Sequence, residues 1–129
     1  MGQYEALLKK AHEAKENAYA PYSGYKVGAA VLLRDGAMVL GCNVENTAQS
    51  ATICAERTAL FNATSLGYKP ADVVAIAVAS SGKNFSPCGP CRQVISEFGA
   101  DIEVIFEWDG AVVVTPLKTL LPYAFTLQR

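Results

Sequence analysis

Apolar residues follow helical spacing in some segments of this chain and strand-like patterns in others. The first segment, residues 3–19, has helical spacing and ends before Pro21. Its apolar positions are Tyr4, Leu7, Leu8, Ala11, Ala14 and Ala18. His12, the single histidine, lies off this stripe, so we expect it at the surface and not in a metal site.

A hairpin and a second helix are predicted next. Residues 25–33 and 38–44 are rich in β-branched and apolar residues, and a turn at residues 34–36 separates them. After a polar loop, helical spacing returns over residues 54–66 and stops at Gly67.

The second half of the chain begins with a nearly continuous apolar run over residues 73–79, which is typical of a strand buried on both faces. A helix is predicted over residues 89–98, with Pro90 in its first turn and Gly99 after its end. Two further strands and a short helix follow, at residues 102–107, 111–115 and 117–121.

The order of these elements predicts an α/β fold in which a five-stranded mixed sheet carries helices on both faces. No linker or repeat interrupts the pattern, so we expect residues 1–129 to form a single domain. Because 51% of the 129 residues are hydrophobic and 18% are charged, the chain can build a core without disulfides.

The net charge and the N-terminal sequence limit the classes of partner and the compartment that we expect. The formal net charge of -1 argues against a nucleic-acid partner. The N-terminus lacks the apolar run of a signal peptide, and no apolar stretch reaches the roughly 18 residues of a membrane span. We therefore expect a cytoplasmic protein with no membrane partner. In that compartment, closely spaced cysteines are typical of metal or catalytic sites.

Three cysteines have the spacing of a catalytic zinc site. Cys54 begins one predicted helix, and Cys88 and Cys91 lie at the start of another, where the helix N-terminus favours the thiolate. A structural zinc takes four protein ligands, whereas a catalytic zinc takes three and keeps a position for water. Glu56, two residues after Cys54, is placed to move protons of that water without ligating the metal.

Three thiolates around one Zn²⁺ leave a net negative charge, which weakens the metal as a Lewis acid. Arg57 follows Glu56 directly, and we hypothesise that it hydrogen-bonds to a ligand sulfur and offsets this charge. Cys42, the fourth cysteine, stands in an apolar strand and is predicted to be a buried structural thiol.

A second interpretation of the cysteines is redox chemistry, because residues 88–91 (Cys-Gly-Pro-Cys) spell the motif of thioredoxins. Thioredoxins have a tryptophan before the motif, where this chain has proline at position 87, and this interpretation leaves Cys54 without a role. It predicts no zinc and a reversible Cys88–Cys91 disulfide.

The full pattern, Cys-Ala-Glu followed about 30 residues later by Pro-Cys-x-x-Cys, matches the signature of zinc nucleobase deaminases. The chain resembles the homotetrameric zinc-dependent cytidine deaminases over nearly its whole length. The resemblance rests on residues 20–23 (APYS), 27–30 (VGAA), 41–46 (GCNVEN), 54–59 (CAERTA), 86–94 (SPCGPCRQV) and 120–125 (LLPYAF). It implies a cytidine deaminase-like three-layer α/β/α fold and a homotetramer.

The resemblance also implies the reaction: hydrolytic deamination of cytidine, and of 2′-deoxycytidine, to the uridine forms and ammonia in pyrimidine salvage. Such an enzyme is a hydrolase acting on a cyclic amidine C–N bond, with one Zn²⁺ per subunit held by Cys54, Cys88 and Cys91. Zinc-bound hydroxide would attack C4, and Glu56 would carry protons to N3 and to the departing ammonia.

The same resemblance assigns substrate contacts. Asn43 and Glu45 correspond to a ribose-binding pair. Tyr25 stands where the family commonly has phenylalanine, so stacking near the pyrimidine ring and a place in the core both fit. Phe125 resembles an aromatic residue that closes the site of a neighbouring subunit, and a core position fits it equally well.

Two positions depart from the family pattern. Thr47 and Gln49 stand where familiar members have alanine and tyrosine, residues that reach the nucleoside site of an adjacent subunit. We therefore expect weaker cytidine affinity or altered tolerance at the sugar. A related deaminase for another cytosine-containing substrate, such as blasticidin S, is the nearest rival; a nucleic-acid-editing deaminase fits the charge and the ribose pair less well.

Overall fold

The structure, a computed structural model, describes residues 2–127. Within them the helices are α1 (Gly2–Lys15), α2 (Ala55–Ser65), α3 (Gly89–Phe98) and α4 (Leu117–Leu120). The strands are β1 (Val27–Leu33), β2 (Met38–Cys42), β3 (Val73–Ser80), β4 (Glu103–Trp108) and β5 (Ala111–Pro116). The predicted order of elements is therefore confirmed.

The five strands form one sheet in the order β2-β1-β3-β4-β5. Only the β3–β4 pair is parallel, and α3 provides the crossover that parallel neighbours require. The other neighbouring pairs are antiparallel, and β1 and β2 form the predicted hairpin. The sheet is thus mixed, as the sequence predicts.

Helices cover both faces of this sheet, and the interior strand β1 is accordingly buried along its whole length. Val31 and its odd-numbered neighbours in β1 join a cluster with Leu60 of α2 and Ile95 of α3. Leu32 and Ala30 face the opposite way and pack in a second cluster with the apolar stripe of α1. The result is the predicted three-layer α/β/α arrangement.

One close approach sets the position of α2 and therefore of the residues at its start. Gly41 of β2 lies directly against the backbone of Ala59 in α2, and a β-carbon at position 41 would collide with it. Only glycine lets helix and strand approach this closely. The motif around Gly41 thus has a packing reason that is independent of chemistry.

The first helix ends four residues earlier than predicted, at Lys15. Tyr19 instead donates its backbone N–H to the carbonyl of Asn43 and accepts from the N–H of Glu45. These long-range backbone bonds replace the helical ones that the local apolar spacing predicts. His12 is partly exposed, and its Nε2 lies 2.8 Å from a carboxylate oxygen of Glu107 in β4.

Cys42 is half-buried where the sequence predicts a buried thiol, because β2 is an edge strand of the sheet. Partial burial still raises the pKa of this thiol. Across residues 2–127, no helix combines the length and the apolar character needed to cross a membrane.

Candidate active site

Two helix N-termini bring the three predicted cysteines together. Cys54 caps α2, Cys88 caps α3 and Cys91 lies in the first turn of α3. Their sulfur atoms all lie within 4.8 Å of one another, and the three thiols are free. Pro90 in the first turn presets the helical backbone between the two cysteines of α3 without losing a needed N–H donor.

The donor set fits zinc. Zn–S bonds of about 2.3 Å require sulfur ligands roughly 4 Å apart, which the cluster meets with small side-chain adjustments. A hydrogen bond from Cys91 and the charge of Arg57 lower the pKa of Cys54, which favours the metal-binding thiolate. Three sulfur donors leave the fourth position for water, as a catalytic site needs.

Glu56 is a carboxylic acid side chain in a buried position, which is unfavourable for the free energy of folding. It is 1% exposed, and both carboxylate oxygens lack a hydrogen-bond partner among the described residues. Burial raises the pKa of this carboxyl group to about 7. A buried unpaired carboxylate costs folding free energy, so its presence beside three clustered thiols points to chemistry.

Arg57 lies beside the cluster, as the hypothesis about its role requires. Its Nη2 donates to the sulfur of Cys54 at 3.3 Å, and its Nε is buried without a partner in the described part of the chain. The hydrogen bond to Cys54 raises the pKa of the guanidinium further. A positive charge is therefore fixed against the first of the three thiols.

Arg92 is a residue that the sequence analysis missed. Its guanidinium donates to the carbonyl of Pro87 at 2.7 Å, to Oγ of Ser86 at 3.0 Å and to the carbonyl of Leu120 at 2.9 Å. It thereby ties the segment that precedes Cys88 to helix α4. The signals in the sequence are that Arg92 directly follows Cys91 and lies in the segment 86–94 that carries the family resemblance.

The predicted sugar-binding pair lies at the end of β2. Asn43 is buried; its Oδ1 accepts from the backbone N–H of Val27 and its Nδ2 donates to the carbonyl of Tyr25, both at 2.9 Å. Glu45 is half-buried, and its Oε1 accepts from the backbone N–H groups of Tyr22 and Ser23 at 2.9 and 3.1 Å.

The two predicted aromatic contacts are both accessible. Tyr25 is 37% exposed; its hydroxyl donates to Ser80 Oγ at 3.1 Å, and its ring centroid lies 6.2 Å from that of Phe85, near the segment leading to Cys88. Phe125 is 70% exposed, and its carbonyl accepts from the side chain of Gln93 at 3.0 Å. The core alternative for Phe125 is therefore wrong within this chain.

The two departures from the family pattern lie beside Glu45. Gln49 and Glu45 line one cavity of about 300 Å³. Thr47 lies next to it, with its hydroxyl oxygen 2.7 Å from that of Tyr22. Both substitutions therefore change the surface around the predicted sugar-binding carboxylate.

Comparison with known proteins agrees with this geometry. A family profile described as "Cytidine and deoxycytidylate deaminase zinc-binding region" matches residues 1–107. The chain belongs to the cytidine deaminase family. A cytidine deaminase of Halalkalibacterium halodurans is 46% identical over 127 residues, which cover 96% of this chain and 95% of the relative. The crystal structure of the cytidine deaminase from Burkholderia pseudomallei superimposes with a TM-score of 0.90 at 48% identity, covering 95% and 98% of the two chains.

Membership of the cytidine deaminase family confirms the predicted fold, the hydrolytic deaminase class and the zinc cofactor. The thioredoxin-like interpretation is wrong, because the chain belongs to a zinc-binding deaminase family, and Cys88 and Cys91 share one cluster with Cys54. A blasticidin-S deaminase of Bacillus cereus is also related, at 34% identity over 109 residues that cover 79% of this chain and 78% of the relative.

Replacing Arg57 by glutamine tests its proposed effect on the zinc cluster of this family member. We expect zinc affinity or kcat to fall by about 10- to 100-fold, since groups that hydrogen-bond to metal ligands have effects of this size. Arg34→Gln, at an exposed arginine whose side chain hydrogen-bonds only to the backbone of Ala71 among described partners, is the matched control. Full activity with full zinc content in Arg57→Gln would show that Arg57 is a surface arginine only.

Proposed function

We propose that the protein converts cytidine and 2′-deoxycytidine to uridine and 2′-deoxyuridine with release of ammonia, in pyrimidine salvage. One observation carries the proposal: a buried glutamate, without a hydrogen-bond partner among residues 2–127, beside three clustered thiols at two helix N-termini. This combination joins a site for a metal with a group able to accept and return a proton. The relatives named as cytidine deaminases support the choice of substrate.

Cys54, Cys88 and Cys91 would hold the zinc ion, which when bound supplies Lewis acidity to a water molecule at its open position. Glu56 takes a proton from that water at its carboxylate and delivers it to N3 of the pyrimidine ring. The water oxygen bonds to C4. Glu56 then takes the second proton from the resulting C4 hydroxyl group and gives it to the amino group, which leaves as ammonia while the C4 carbonyl forms. Because burial brings its pKa to about 7, the same carboxyl can act as base and as acid near neutral pH.

The sugar would bind at the end of β2. Glu45 lines the cavity that Gln49 also lines, and a carboxylate accepts readily from ribose hydroxyls. Asn43 already uses one donor and one acceptor on backbone groups, so its remaining donor and lone pair are oriented before any ligand arrives. We assign Tyr25 to the side of the pyrimidine ring.

We further propose a homotetramer in which Phe125 closes the site of a neighbouring subunit. Its ring is 70% exposed in the single chain and stands near the exposed Tyr123 and Leu127 in sequence, so this segment offers several apolar side chains that a neighbouring subunit would cover. Thr47 and Gln49 would then contribute to the sugar environment across the same contact.

A panel of cytidine, 2′-deoxycytidine, cytosine and blasticidin S tests the substrate. We expect kcat/KM to be highest for the two nucleosides, and lower by about 100-fold or more for cytosine, because the free base cannot use the sugar contacts. Ammonia release under identical conditions is the measurement. The relationship to a blasticidin-S deaminase makes that compound the second candidate. A higher kcat/KM for blasticidin S than for cytidine would replace the proposed substrate.

A further inference from the structure

The segment Ala20-Pro21-Tyr22-Ser23 contributes to the family resemblance, yet the reaction gives it no role. In the structure it forms a turn around the carboxylate of Glu45. Two backbone N–H groups of the turn, at Tyr22 and Ser23, donate to Oε1, and the Ser23 hydroxyl donates to Oε2. Three donors from one short turn therefore hold the carboxylate of a single half-buried residue.

The Ser23 hydroxyl both donates and accepts a hydrogen bond. Its hydrogen goes to Glu45, and its oxygen accepts from the backbone N–H of Tyr25 at 3.0 Å. The carbonyl of Tyr25 in turn accepts from Asn43. Ser23 thus connects the side chain of Glu45, through the backbone of Tyr25, to the side chain of Asn43.

This arrangement leaves Glu45 with one acceptor direction free. A carboxylate has about four lone-pair positions, and three are taken by the donors of the turn. The Ser23 hydroxyl also lowers the pKa of Glu45, which keeps the acceptor ionised. A side chain held in this way has little rotamer freedom left to lose when a ligand binds.

We propose that Ser23 is a positioning residue that orients the Glu45 carboxylate to accept a hydroxyl group of the nucleoside sugar. The inference rests on the proposed function, since it needs Glu45 to bind that sugar. Ser23→Ala removes both hydrogen bonds of the hydroxyl, the one to Glu45 and the one from Tyr25. Ser23→Thr keeps the hydroxyl and adds one methyl group at an exposed position.

The test is a double-mutant cycle on the zinc-loaded enzyme with Ser23→Ala, Glu45→Ala and the double variant. We expect Ser23→Ala to raise KM for cytidine by about 10-fold, the usual weight of a hydrogen bond to a charged group, with kcat and zinc content nearly unchanged. In the Glu45→Ala background the same change should add less than about twofold, because Ser23 acts through Glu45. Ser23→Thr should restore the wild-type KM.

Ser65→Ala is the matched control, since Ser65 is an exposed serine whose hydroxyl hydrogen-bonds only to the carbonyl of Asn62 among described partners. A purely structural role for Ser23 predicts a lower Tm, and the same rise in KM whether residue 45 is glutamate or alanine. Such full additivity overturns the inference. An unchanged KM in Ser23→Ala overturns it as well. Those results leave the proposed function intact if Glu45→Ala alone raises KM. An unchanged KM in Glu45→Ala removes the sugar assignment itself, and the inference with it.

Discussion

Replacing Glu56 by glutamine is expected to lower kcat by about 10²- to 10⁴-fold, the usual contribution of a positioned proton carrier. Glutamine keeps the shape of the side chain and can hydrogen-bond, but it cannot take a proton from water and return it to ammonia. Zinc content should stay unchanged, because Glu56 is not among the clustered thiols. Single-turnover kinetics with cytidine and metal analysis of the same preparation measure both quantities.

The same variant should be at least as stable as the wild type. Glu56 is almost fully buried with no described partner for either oxygen, so the neutral amide removes an uncompensated carboxylate from the core. Glu13→Gln, at an exposed helix position paired with Lys10, controls for the chemical change itself and should leave both kcat and Tm unchanged. A kcat of Glu56→Gln within about tenfold of wild type would contradict the proton-carrier role.

A buried group that lowers stability and raises activity is the expected signature of a catalytic site. Here the cost is concentrated at the start of α2, where Gly41 allows the helix to pack flush against β2. Glu56 is thereby held on the sheet side of the helix, away from bulk water.

Elements with strong local punctuation were predictable from the sequence. Helix α3 occupies the predicted residues 89–98, because Pro90 suits its first turn and Gly99 ends it. Helix α1 was predicted too long, because Tyr19 bonds to the backbone on either side of Val44 instead of continuing the helix. That pairing joins distant parts of the chain, and no local pattern indicates it.

The residues of the candidate site also differ in how well the sequence alone predicts them. Cys54, Cys88 and Cys91 carry a spacing that zinc chemistry makes specific, so the sequence alone predicts them. Ser23 and Arg92 carry no such spacing, because their meaning lies in partners 22 and 28 residues away. Residues that orient other side chains of a site are recognised by their contacts, and those contacts are known only once the fold is known.

Replacing Cys88 by alanine is expected to reduce bound zinc from about one ion per chain to almost none and to abolish deamination. Two remaining thiols bind the ion far more weakly than three. Cys88 is exposed at the cap of α3, so the truncation leaves no cavity and the fold should persist. Metal analysis, far-UV circular dichroism and ammonia release measure the three outcomes.

Cys42→Ala is the matched control, because Cys42 lies on edge strand β2 and is not one of the three clustered thiols. It should keep both zinc and activity, since its half-buried thiol serves packing only. Equal zinc loss in the two variants would mean that Cys42 is a fourth ligand and the site is closed to water. Full zinc content in Cys88→Ala would place the metal elsewhere, and the proposed chemistry at Glu56 would then lose its basis.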